Sequence, residues 1–147
     1  GLLNKSDNLF KNFSRQMIKI SPVLKIYGTD YKTKDGSCIR DFIHVCDIAE
    51  IHLKVLEKIN KLNISKIFNC GYDKGVSVLE VVKEFKKQSS KYIRVIKTKR
   101  RRKDIVQIIA SNNKLKNFIK WKPKYNSLNK IVKSSLNWEK KINNEKL

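Results

Sequence analysis

Arg40 stands in the only tight cluster of Asp, Gly, Arg and His in the chain, the stretch YGTDYKTKDGSCIRDFIHVCDIAEIH from residue 27 to residue 52. A second concentration of charge, KTKRRRK from Lys97 to Lys103, runs directly into Asp104. A guanidinium is a planar fork of donors that fits phosphate or carboxylate oxygens in pairs. Two readings follow: a pocket for a small acidic ligand, or a basic surface for nucleic acid. From the residues alone, Arg40 and Asp41 read as an ion pair or turn clamp beside the apolar run FIHV. His44, set among Phe42, Ile43 and Val45, reads as a hydrogen-bonded core histidine rather than a general base, and His52 as packing or surface.

The formal charge of +21 and pI near 10.0 point, taken alone, to a polyanionic partner. Their distribution points elsewhere. Lysines run from Lys5 to Lys146 among many Asn and Ile, the composition that drift in an AT-rich genome produces, and only residues 97–103 form a dense block. Arg100 and Arg102 read as solvated. Trp121 and Trp138 are not interleaved with that block as single-strand binding requires, so they read as core or helix-packing aromatics. A nucleic-acid-binding module is the alternative reading, with no specific nucleic acid expected. Cys38, Cys46 and Cys70 are odd in number and lack C-x-x-C or finger spacing, so they read as small buried apolar residues, with neither a disulfide framework nor a metal site. With no membrane-length apolar run and no signal segment, the expectation is a cytoplasmic protein off the membrane. A first residue of Gly reads as a fragment or a processed chain.

The elements that must position these groups follow from periodicity. NLFKNFSRQMIKI sets Leu9, Phe10, Phe13, Met17 and Ile20 at helical spacing, with the Lys/Arg face towards water and Pro22 as the stop. VLKIYG, Val23 to Gly28, is a short strand, followed by a loop where Asp30, Asp35 and Gly36 supply turn chemistry. CDIAEIHLKVLEKIN reads as a helix with Asp47 as N-cap, Glu50 three residues on, and Ile48, Ile51, Val55, Leu56 and Ile59 as its apolar repeat. KIFNCG, Lys66 to Gly71, reads as a buried strand, SVLEVVKEF as a helix opened by a Ser77/Glu80 capping box, and YIRVIK as a strand. Then come the apolar run IVQIIA, a helix from about Ser111, the WKPKY loop, a last helix from Ser127 towards Ile142 and a frayed tail NNEKL. Strands alternating with helices predict an α/β layer structure, and 147 residues fit one domain, 1–147.

No G-x-G-x-x-G or G-x-x-G-x-x-G, no Tyr-x-x-x-Lys and no G-x-S-x-G occurs. Four stretches, LKIYGTDYKTKDGSCIRDFIHVCDIAEIHLKVLEKI, IFNCGYDKGVSVLEVVKEF, RRRKD and NNKLKNFIKWKPKYNSLNKIVKSSLNWEKK, together resemble in order and spacing the C-terminal half of the UDP-glucose 4-epimerases. These belong to the extended short-chain dehydrogenase/reductase family. The resemblance covers essentially the whole chain. GTDY-x-T-x-DG-x-x-x-RD-[YF]-IHV-x-D is its specific part, because other extended members share only RD-[YF] and V-x-D.

The resemblance implies the mixed α/β substrate-binding part of an NAD-binding Rossmann-fold protein, with the Rossmann core and its NAD in an N-terminal domain outside this chain. That domain also carries the catalytic Ser/Thr, Tyr and Lys, so no catalytic or cofactor-binding residue is expected here and the chain alone should be inactive. The implied activity interconverts UDP-glucose and UDP-galactose by oxidation and reduction at the sugar C4, with a related nucleotide-sugar epimerase or dehydratase as the alternative that keeps the fold; in the family the homodimer contact lies in the other half. Residue by residue, the resemblance implies a UDP-sugar site of Asn8 near the phosphates, Tyr27 beside the uracil, Arg40 and Arg101 on the diphosphate and Asp104 on the ribose hydroxyls. Two guanidinium forks, an aromatic face and a carboxylate are what such a ligand needs. Where the family has PRR-x-GD this chain has KRRRKD, with Lys99 for Pro and Lys103 for Gly, and the glycine-rich turn after FNLG is reduced to GYDKG. Ile108 falls where the family varies side-chain size at the sugar.

Overall fold

Leu24 and Ile26 alternate with Lys25 and Tyr27 along one short strand, and that period of two decides what faces the core and what faces the site. The computed structural model describes residues 8–144. In chain order the elements are α1 (Leu9–Met17), β1 (Val23–Tyr27), β2 (Ile39–Arg40), α2 (Val45–Leu62) and β3 (Val76–Ser77). They continue with α3 (Val78–Lys87), β4 (Arg94–Thr98), β5 (Gln107–Ile108), α4 (Asn113–Ile119) and α5 (Leu128–Asn144). The α/β expectation holds.

β1 pairs in parallel with β4, Val23 opposite Arg94 and Tyr27 opposite Thr98. Leu24 and Ile26, 0% and 1% exposed, meet Phe13 and Met17 of α1, Val81 and Phe85 of α3, and Val132 and Leu136 of α5. Each such side chain contributes about 1.5–3 kcal/mol on burial, so three helices are held to one face of a two-stranded ribbon that is too small to stand alone. β2 pairs antiparallel with β3 and parallel with β5, which puts Arg40 opposite both Val76 and Ile108. α3 opens on the expected capping box, in which the Ser77 hydroxyl accepts from Glu80 N and Glu80 Oε2 accepts from Ser77 N. A second core gathers Ile51, Tyr72, Leu115 and Trp121 beneath α2 and α4.

Several expectations need correction. α1 ends at Met17, whose carbonyl accepts from Lys91 Nζ together with that of Lys19 just beyond the helix, and Ile20 lies outside the helix and is 95% exposed. Its charged face is not wholly wet: Lys11 is buried in an ion pair with Glu139 of α5. KIFNCG forms no strand. Phe68 and Cys70 pack on the second core, but no other described segment lies alongside to complete a ladder, and Ile67 stays 84% exposed. Leu56 also faces out, because only Asp47 and Ile51 of α2 are fully buried. Of the tail, Asn143 and Asn144 belong to α5 and the remaining residues lie outside those described. Cys46 is exposed and Cys70 partly so, and only Cys38 is the buried thiol expected.

Asp47 is not the cap of α2. His44 is: its Nδ1 accepts from Cys46 N at 3.1 Å, which fixes the ring as the Nε2–H tautomer while it is neutral. Its ring stacks on Tyr125 at 4.4 Å and is buried, as the core reading of this histidine expected. Burial holds the imidazole below its ordinary 6.5, with Lys130 adding to the effect and Asp47 opposing it. Because the folded value is depressed, the contribution is complete above pH 6.5 and is lost as pH falls from there through the folded value. Urea midpoints should therefore decline on acidification from pH 7.5 to 5, and His44→Asn, which keeps a capping oxygen, should flatten that part of the profile.

Candidate functional site

The face of β1 opposite the core is where the predicted groups meet. Val23, Lys25 and Tyr27 form one wall of a cavity of about 530 Å³. Arg40 and Cys38 enter from β2 and its flank, Arg101 and Asp104 from the basic segment, and the first turns of α1 close the side with Leu9 and Asn12. Four of the five residues singled out, Tyr27, Arg40, Arg101 and Asp104, thus line one space. Asn8 does not line it. It caps α1, its Oδ1 accepting from Lys11 N at 3.1 Å, so it anchors the helix whose next residue does.

Arg40 is held at two points. Its Nη1 donates to the Ile39 carbonyl at 2.8 Å and its Nη2 to Asp104 Oδ1 at 2.7 Å, both charged side chains being about a quarter exposed. Asp104 also accepts from the Cys38 thiol at 3.6 Å, a weak bond. Burial pushes the Cys38 thiol up, so it stays protonated and can donate. Asp41 has the structural role that its neighbours suggested: Oδ1 accepts from Tyr72 N, and Oδ2 from Asp73 N and Ala110 N, tying the 71–73 turn to the end of β5. Gly71 is required there, because a Cβ would overlap the Asp41 carboxylate.

The basic segment is not a free charge run. The Arg101 guanidinium lies over the Tyr27 ring at 4.2 Å. Arg100, expected to be solvated, donates to Asp30 Oδ1 at 2.8 Å and covers the Tyr31 ring at 4.2 Å. That contact holds the Asp30 carboxyl below the usual range. Lys103 adopts φ +64°, the left-handed conformation that glycine takes without cost, and lets Asp104 N bond back to the Arg101 carbonyl at 3.3 Å. A side chain therefore sits in a turn that glycine would make more easily. Lys103→Gly should raise unfolding free energy by about 1 kcal/mol, read as a higher urea midpoint, with the site geometry retained.

Sequence reasoning missed Lys25, Cys38, Phe42, Asn12 and Gln16 as lining residues. Lys25 was available from strand alternation with Tyr27. Asn8, Asn12 and Gln16 lie four apart, one face of α1, but their polarity reads equally as solvent-facing.

The balance of charge defines the chemistry. Lys25, Arg40 and Arg101 outnumber the one lining carboxylate, Asp104, which is itself paired, so the cavity suits a dianion beside an aromatic group. No histidine lines it, and no cluster of three metal-ligating side chains occurs among the described residues. No described helix is long and apolar enough to cross a membrane.

Residues 4–71 match the NAD dependent epimerase/dehydratase family. The chain is 37% identical over 135 residues to a UDP-glucose 4-epimerase of Azospirillum brasilense, covering 92% of this chain and 39% of that protein. Among solved structures, the UDP-Glc/GlcNAc 4-epimerase of Campylobacter jejuni is 41% identical with a TM-score of 0.82, over 95% of this chain and 42% of that one. The UDP-glucose-4-epimerase of Stenotrophomonas maltophila, solved with NAD and formylated UDP-arabinopyranose, is 26% identical with a TM-score of 0.88, over 95% and 41%. The chain thus spans about two fifths of the length of the relatives it matches. The chain is thus homologous to that part of the UDP-glucose 4-epimerases, and the stretch that matches the NAD dependent epimerase/dehydratase family is residues 4–71.

Proposed function

We propose that this chain is the UDP-sugar-binding domain, residues 1–147, of a UDP-glucose 4-epimerase that interconverts UDP-glucose and UDP-galactose. The convergence of Tyr27, Arg40, Arg101 and Asp104 on one cavity carries the reading. Arg40 and Arg101 take the diphosphate, Asp104 accepts from the ribose hydroxyls, and Tyr27 supports the uracil, with Asn8 holding the helix start that lines the phosphate end. The Arg101–Tyr27 stack is worth about 0.5–1 kcal/mol at an exposed position, whereas a charged hydrogen bond to phosphate is worth about 1.5–3 kcal/mol. A diphosphate therefore wins Arg101 and leaves the Tyr27 ring to the base.

NAD, when bound, supplies the hydride acceptor and donor for epimerisation, and it is held by the rest of the protein. The residues here do not fit it. α3 is the only described helix that follows directly on a strand, and its N-terminus is filled by Ser77 and the Glu80 carboxylate, which would repel a pyrophosphate. The role left to this chain is to bind and orient the sugar nucleotide, so it is inactive alone. A homodimer of the full-length protein, if formed, uses its other half, and unpaired thiols suit a reducing cytoplasm.

Calorimetric titration of the chain with UDP tests the reading. It should give 1:1 binding with only moderate salt dependence. Binding of duplex DNA that is much tighter than UDP binding, with log affinity falling by about 0.9 per phosphate contact for each log unit of salt, would favour the basic-module alternative.

A further inference from the structure

Arg40 and Arg101 line the same cavity but are held differently. Arg40 is fixed by the Ile39 carbonyl and by Asp104. The Arg101 guanidinium makes no hydrogen bond or ion pair among the described residues, and what positions it is the Tyr27 ring at 4.2 Å. Arg100, one residue earlier, supplies the contrast. It also covers an aromatic ring, that of Tyr31, but the Asp30 carboxylate ties it there. The site therefore has one fixed guanidinium and one whose only partner is a π face.

The backbone under Arg101 is pinned on both sides. Gly28 N donates to the Thr98 carbonyl at 2.9 Å where β4 ends, and Asp104 N donates to the Arg101 carbonyl at 3.3 Å. A change of partner for Arg101 is then a side-chain rotation inside the cavity rather than a loop rearrangement. Tyr27 is 38% exposed, and because it and Arg101 both line the cavity, the guanidinium lies on ring surface that a base would use.

We propose that Arg101 is a specificity-determining cover for the base platform: it shields the Tyr27 ring from a base that arrives alone and leaves the ring when a diphosphate draws it away. The site thereby selects ligands that carry base and diphosphate together. The proposal rests on the functional reading above and adds a coupling between the two halves of the ligand. An exposed guanidinium–ring contact is equivalent to about 2- to 5-fold in affinity, which a nucleoside must overcome and a nucleoside diphosphate need not. The coupling is reciprocal, so whatever occupies Arg101 improves base binding by the same factor.

Uridine is the discriminating probe because it is uncharged: removing a cation does not weaken its attraction to the site, and only access to the ring changes. In NMR titrations of the chain, Arg101→Ala should tighten uridine binding by about 2- to 5-fold while it weakens UDP binding by about 5- to 50-fold. In a Tyr27→Leu background the gain for uridine should vanish, since no ring is left to uncover. Inorganic pyrophosphate alone should move the Tyr27 ring resonances of the unaltered chain towards their positions in Arg101→Ala. Uridine bound equally or more weakly by a folded Arg101→Ala chain would overturn the proposal, Arg101 then being a bystander or the second face of a base sandwich, and a loss of UDP affinity in the same variant would leave the functional reading standing. Tyr27 resonances that stay in place when pyrophosphate binds would overturn it without recourse to a variant. An unaltered chain that binds UDP no more tightly than pyrophosphate would overturn both the proposal and the functional reading.

Discussion

Replacing Arg40 with alanine lowers UDP affinity by about 10- to 100-fold, the loss expected when one charged hydrogen-bonding group worth about 1.5–3 kcal/mol is removed from a phosphate contact. The effect is large because Arg40 is pre-set: the Ile39 carbonyl and Asp104 hold its guanidinium in place before a ligand arrives. The change also frees the Asp104 carboxylate, which then repels the diphosphate rather than steadying its neighbour. Asp104→Asn separates the two effects. It keeps shape, removes the negative charge and should cost less than Arg40→Ala. Calorimetry with circular dichroism as a folding control reads both variants. An Arg40→Ala chain that folds and binds UDP within twofold of the unaltered one would remove Arg40 from the site. Binding to duplex DNA should be unchanged, since the exposed lysines and Arg102 are untouched.

The residues that could be read from sequence were those whose types admit few alternatives. Tyr27, Arg40, Arg101 and Asp104 lie as many as 77 positions apart, from 27 to 104, and nothing in local pattern joins them. The resemblance supplied the grouping, and the two sheets explain it: parallel pairing of β1 with β4 and of β2 with β5 carries the basic segment back across the strand ends that bear Tyr27 and Arg40. Local signals with a mechanism held, as the Ser77/Glu80 box did. Signals resting on apolarity alone failed in one direction. Ile20, Leu56 and KIFNCG were read as buried, and each is exposed or unpaired here because burial of an apolar residue requires a neighbour, which sequence periodicity does not guarantee.

Lys103 stands where the family pattern has glycine, and its backbone takes a conformation that glycine adopts without cost. The turn before Asp104 is kept at φ +64°, so the chain absorbs a backbone cost rather than moving the carboxylate out of the cavity. The Asp104–Arg40 bond at 2.7 Å forms directly after that turn.

The error over Asp47 leads to the largest stability effect. An acidic residue one step after a Cys and three before a Glu has the sequence signature of a cap, yet its side chain is 0% exposed. It accepts from the Tyr72 hydroxyl at 2.5 Å and from the Lys124 and Tyr125 amides at 3.0 Å each. Tyr72 in turn donates to Asp47 while accepting from His44 N at 3.1 Å, and its phenol is pushed far up by burial, with the Asp47 bond adding to the effect. One carboxylate thus ties the start of α2, the turn at Tyr72 and the WKPKY loop that leads into α5. Asp47→Ala leaves the buried Tyr72 hydroxyl unsatisfied, at about 1–3 kcal/mol for a group that water cannot reach, and removes the acceptor of the part-buried Lys124 and Tyr125 amides, which tie down the loop. A total loss of about 3–5 kcal/mol is expected, which lowers the melting temperature by about 10 °C for a chain of this size. Asp47→Asn should recover little, because its amide must aim an N–H at one of these donors. Calorimetric melting of the two variants checks this, and a shift below about 3 °C for Asp47→Ala would mean that the loop holds to α2 without the carboxylate.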